Sequence, residues 1–141
     1  MAILDKGKNN FIVDRDESRY IGFKLPMLLD NGHNALTNTT IDAIKQNLLN
    51  ILNTGMGERV MQPTLGFGLR KFLFEQLNED TIIQIQDTIV ENIGYWMPFV
   101  QINDILVNMS TGVESTLEVS INFSLKKDPQ IAESIQINIG E

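Results

Sequence analysis

Ser115-Thr116-Leu117-Glu118-Val119-Ser120-Ile121-Asn122-Phe123-Ser124-Leu125 alternates apolar with polar residues from Leu117 to its end. A strand turns successive side chains to opposite faces, so Leu117, Val119, Ile121, Phe123 and Leu125 line one face and Glu118, Ser120, Asn122 and Ser124 the other. Alternation of this kind predicts a sheet packed on one side and solvated on the other, as antiparallel sheets are. Upstream, Ile105, Val107 and Met109 alternate with Asp104, Leu106 and Asn108, and Ser110-Thr111-Gly112 predicts the turn between the two strands. Downstream, Lys127-Asp128-Pro129 predicts a break, after which Ile135, Ile137 and Ile139 against Gln136 and Asn138 predict a last strand.

Before these strands the hydrophobic period is helical. Asn78-Glu79-Asp80 offers a capping side chain and two carboxylates to the positive end of a helix. Its apolar stripe is Ile82, Ile85, Ile89, Val90, Ile93, Trp96 and Met97, and Pro98 stops it. An earlier helix follows Thr37-Asn38-Thr39-Thr40, with Ile41, Ile44, Leu48, Ile51 and Leu52 on one side and Asp42, Lys45, Gln46 and Asn50 on the other. It is expected to close at Thr54-Gly55 through a left-handed glycine. Between the helices, Arg70-Lys71-Phe72-Leu73-Phe74 predicts a helical turn that tucks its aromatics against the core. Tyr20 to Pro26 suits a short edge strand and Asp30-Asn31-Gly32-His33-Asn34 a turn.

The order β, α, α, β, β, β predicts an α+β fold, a mainly antiparallel sheet with two amphipathic helices packed on one face. Residues 1–19, mixed in charge and with Phe11-Ile12-Val13 as a possible anchor, are expected to form an arm, and residues 20–141 a single domain.

Composition narrows the function. The chain has 141 residues, 11 Lys plus Arg against 18 Asp plus Glu, and a net charge of −7. Phosphate recognition needs clustered cations, so nucleic acid is not an expected partner, and an acidic surface repels anionic lipid. No apolar run approaches the ~20 residues that span a bilayer, and the start lacks the basic and apolar segments of a signal peptide. Without cysteine there is no disulfide, thiolate metal site or cysteine nucleophile, in keeping with intracellular assembly.

Residues that could carry chemistry are few. His33, the single histidine, sits in a Gly/Asn turn with no second ligand beside it, so neither a metal nor a cofactor is expected. Ser110, Ser115 and Ser120 lack the strand-turn-helix setting of a nucleophile elbow. Gly55, Gly57, Gly66 and Gly68 match no phosphate or dinucleotide fingerprint. Glycoside hydrolysis needs two carboxylates about 5 to 9.5 Å apart, and nothing in the spacing of Glu58, Glu75, Glu79 and Asp80 selects a pair. An arginine directly after Glu58 is also not the setting that a general acid requires. Docking is the simpler reading of that pair.

Asn53-Thr54-Gly55-Met56-Gly57-Glu58-Arg59-Val60-Met61-Gln62-Pro63-Thr64-Leu65-Gly66-Phe67-Gly68 delivers the chain from a helix into a glycine-flanked Glu-Arg pair and returns it to the core. Arginine presents five donors in a planar fork and is favoured at interfaces, which makes Arg59 a recognition residue. Here, over residues 20–139, the chain resembles the small baseplate-wedge subunit of contractile phage tails, T-even type, and its counterpart in the type VI secretion baseplate. The resemblance rests on the helix ending Asn47 to Thr54, on Gly57-Glu58-Arg59, Pro63 and Gly66, and on Leu69 through Phe74. It implies a structural protein of the virion tail baseplate, assembled in the host cytoplasm, with a domain similar to the interlocking domain of the sheath subunit. Its partners would be the helical core bundle of the larger wedge subunits and the tail sheath subunit. Gly57, Glu58, Arg59 and Pro63 would dock on the bundle, and the strand carrying Ile135, Ile137 and Ile139 would template the first sheath ring. Older naming attached "lysozyme" to this family, so a cell-wall glycoside hydrolase is the alternative.

Overall fold

The computed structural model describes residues 20–24, 29–30, 33–34, 36–76, 78–111 and 115–140, and the chain divides into two compact units, Met1–Asn50 and Ile51–Glu141. The expected arm, residues 1–19, lies outside the described residues.

In the first unit β1 (Gly22–Phe23) pairs antiparallel with β4 (Leu36–Thr37), and β2 (Leu29–Asp30) with β3 (His33–Asn34). The strand expected over Tyr20 to Pro26 is thus two residues long within the described stretch. His33 joins a ladder opposite Asp30, where the sequence suggests only a turn. Gly22 permits the close pairing, since a Cβ there would stand 3.0 Å from Thr37 Oγ1. The helix α1 (Thr40–Asn53) begins where the Thr39 hydroxyl donates to the Asp42 carboxylate at 2.6 Å. Ile41, Ala43, Ile44, Leu48 and Leu52 are its buried residues, close to the predicted stripe, while Ile51 is half-buried.

The second unit is built on the sheet β5-β6-β7, antiparallel throughout: β5 (Val100–Thr111), β6 (Ser115–Leu125) and β7 (Asp128–Ile139). Register places Ile105, Ile121 and Ile135 in one row and Val107, Val119 and Ile137 in the next. Leu117, Val119, Ile121, Phe123, Ile135, Ile137 and Ile139 are buried, while Glu118, Gln136 and Asn138 are exposed. Each fully buried aliphatic or Phe side chain contributes roughly 1.5–3 kcal/mol, so this face is a large source of the unit's stability.

Two expectations about strand ends are corrected. Ser110 and Thr111 belong to β5, Thr111 facing Ser115, and Gly112 lies outside the described residues. Pro129 does not break the chain. β7 starts at Asp128, and the register jumps from Leu125–Asp128 to Ser124–Ala132, so the proline falls in an irregular stretch of an edge strand, where a missing amide is tolerated.

The helix α2 (Glu79–Trp96) is capped as expected, Asn78 Oδ1 accepting from the Thr81 amide at 3.0 Å. Its buried line is Thr81, Ile85, Ile89, Ile93 and Met97, four residues apart, whereas Val90 is half exposed. It packs along β5, where the Gln86 side-chain amide donates to the Ile105 carbonyl at 3.0 Å. The 3-10 helix Leu69–Phe74 packs on β6, β7 and α2 through buried Leu69 and Phe72.

Candidate interaction site

At the end of α1 the Thr54 amide donates to the Ile51 carbonyl at 3.2 Å, a tightened last turn. Gly55 does not take the left-handed conformation expected of it; the positive φ angles belong to Gly57 (86°), Gly66 (124°) and Gly68 (59°). Beyond Thr54 the chain makes a loop with a neck. The Thr54 carbonyl accepts from the Phe67 amide at 3.0 Å and the Gly68 amide at 3.3 Å, and Phe67 is fully buried. Gly66 is required at this neck because a Cβ would run into the Thr54 carbonyl.

A second closure lies further out, where the Gly57 amide donates to the Pro63 carbonyl at 2.8 Å. Within it the Gln62 amide donates to the Arg59 carbonyl at 3.2 Å, and the Glu58 amide reaches back to the Gly55 carbonyl at 3.3 Å. The excursion from Thr54 to Phe67 therefore has the closed ends and internal bonding of an Ω-loop. Glu58, Arg59 and Pro63 are all exposed. The Glu58 carboxylate turns back over Gly55, where a Cβ would stand 2.7 Å from its Oε1. Sequence reasoning missed the apex: Val60 and Met61 are 93% and 92% exposed, and Met56 is 62% exposed. Val60 and Met61 follow the Glu-Arg pair directly, a mixture of exposed apolar and charged side chains suited to a protein surface.

The other residues proposed for docking sit elsewhere. Ile135, Ile137 and Ile139 are buried in the unit's own core, so their strand has only main chain and its outward side chains to offer a partner. Among the described residues no strand pairs with the outer side of β7. Glu133 is its last charged residue, and Ser134 to Ile139 carry neither charge nor proline.

Glu58, Glu75, Glu79 and Asp80 are all exposed. Among the described residues no group of three His, Cys, Asp or Glu could hold a metal ion, and no helix is long and apolar enough to cross a membrane.

Comparison with solved structures finds similar folds. A candidate tail lysozyme from Geobacter sulfurreducens is 24% identical, with 68% of this chain and 86% of that chain covered at a TM-score of 0.55. A chain of the anti-feeding prophage baseplate is 20% identical, with 82% and 81% covered, also at 0.55. Comparison with curated protein sequences found no match. The family model described as baseplate wedge protein gp25 matches residues 38–130, a span that holds α1, the necked loop, α2, β5 and β6. With well over half its length matched, this chain belongs to the baseplate wedge protein gp25 family.

Proposed function

We propose that this chain is the adaptor that joins wedge to sheath in a contractile-tail baseplate. Glu58 and Arg59, held between Gly57 and Pro63, dock on the helical core bundle of the larger wedge subunits. The outer edge of β7 templates the first ring of sheath subunits by strand addition, main-chain bonds supplying affinity. Assembly takes place in the host cytoplasm, in keeping with a chain that has no cysteine.

The observation that carries this reading is the doubly closed loop: the Thr54–Phe67 and Gly57–Pro63 bonds fix an apex that is otherwise almost wholly in solvent. A loop ordered before binding loses little entropy on binding, which is how a small contact patch reaches useful affinity. Reconstitution tests it. Wild-type chain mixed with the larger wedge subunits should co-elute with them, and Arg59→Ala, folded as before, should not. Co-elution of Arg59→Ala at wild-type level would remove the loop from the docking role.

A further inference from the structure

The sequence predicts that both aromatics of Arg70-Lys71-Phe72-Leu73-Phe74 turn inward, but only Phe72 does. Phe74 is 90% exposed. The helix period explains the difference. In a 3-10 helix residues three apart eclipse one another, so buried Leu69 and Phe72 form the inner line and Lys71 and Phe74 share another side.

Phe74 is not a loose end. Its helix starts at left-handed Gly68, whose amide is held by Thr54, and the Lys71 amide donates to the Gly68 carbonyl at 3.1 Å. At the other end the Glu75 amide donates to the Phe72 carbonyl at 3.2 Å. The Lys71 ammonium lies 4.7 Å from the centre of the Phe72 ring, which positions it as well. Single exposed hydrophobes are common and need no partner. This one is rigidly presented, shares its side of the helix with exposed Lys71 and lies one turn from exposed Arg70, on an acidic chain. From Leu69 to Glu75, Arg70 and Lys71 against Glu75 leave +1, while the rest of the chain stands at −8.

The geometry points to a second docking anchor: Phe74, flanked by Arg70 and Lys71, seats in an apolar socket rimmed by carboxylates on a protein neighbour. Charge complementarity selects that neighbour, since an acidic rim is attracted to this island and repelled by the remainder of the surface. The inference rests on the adaptor reading only in placing the neighbour inside the baseplate, and it is independent of Arg59.

Because the chain has no cysteine, Phe74→Cys reports on this position alone. Maleimide labelling of that variant is compared between the purified chain and purified baseplates. The result expected is labelling at least tenfold slower in baseplates, with Arg70→Glu/Lys71→Glu restoring the fast rate or lowering incorporation at least tenfold at an unchanged melting temperature. If Phe74→Cys itself enters baseplates at least tenfold less than wild type while melting normally, the anchor is supported too. Entry at wild-type level with free-chain labelling overturns the proposal. So does protection of the purified chain that grows with its concentration, which would make the occupant a second copy, or loss of folding, which would place Phe74 in the core. Absence of the wild-type chain from baseplates overturns the adaptor reading, and this proposal with it, and is distinguished from the other failures by that absence.

Discussion

The carbonyl of Thr54 holds the amide of Phe67 at 3.0 Å, so the last turn of a helix and the first buried residue after the loop meet at one oxygen. Everything exposed between them, Arg59 included, is carried by that neck. Gly66 is the residue the neck tolerates least in altered form: its φ of 124° disfavours any side chain, and a Cβ would meet the Thr54 carbonyl. Gly66→Ala should lower unfolding free energy by about 2–3 kcal/mol. Gly57→Ala, with open space around its Cβ and only a positive φ to bear, should lose about 1 kcal/mol. Urea titration of the two variants checks the order.

Arg59 tests whether the apex serves binding alone. Its side chain is exposed, so Arg59→Ala should shift stability by no more than about 0.5 kcal/mol. As an interface hot spot it should weaken association with the wedge subunits by about 2 kcal/mol or more. Calorimetry on both properties separates the two effects, and a variant that melts early contradicts the assignment.

The edge of β7 calls for charge and not deletion. Residues 130–141 include Ile135, Ile137 and Ile139, and Ile137→Ala alone should cost about 2–5 kcal/mol because its side chain is buried. Truncation would therefore unfold the sheet before any partner was tested. Gln136→Lys/Asn138→Lys instead alters two exposed positions and installs the charge by which natural edges refuse new strands. Baseplates built with it should hold the wedge subunits yet fail to start sheath, seen as bare baseplates by electron microscopy. Sheath of normal length would contradict strand addition at this edge.

Hydrolysis gives the remaining contrast. Exposed Glu58, Glu75, Glu79 and Asp80 offer no sheltered acid, and purified chain incubated with peptidoglycan should release no more reducing sugar than a boiled control. Turnover abolished by Glu58→Gln would make the protein an enzyme.

The parts of the fold governed by a regular period are legible in the sequence. Leu117 to Leu125 alternate because a sheet has two faces, and Asn78 caps α2 because the first turn leaves amides unpaired. Departures arise where a local rule meets a tertiary one. Pro129 stays in β7 because an edge can spare an amide, and Phe74 points outward because two residues on from buried Phe72 the helix has turned to another side. The Glu58-Arg59 pair stands out by its glycines, but the bareness of Val60 and Met61 does not, because apolar residues in a sequence carry no mark of whether they are covered.

In the docking proposed above, the loop apex meets the helical bundle of the larger wedge subunits. Val60, 93% exposed and adjacent to Arg59, is the place to ask, by replacing it with photoreactive benzoylphenylalanine and irradiating assembled baseplates. One dominant crosslink is expected, to a helical segment of a larger wedge subunit, identified by mass spectrometry. A crosslink to the sheath subunit, or none in baseplates that contain the chain, would contradict it.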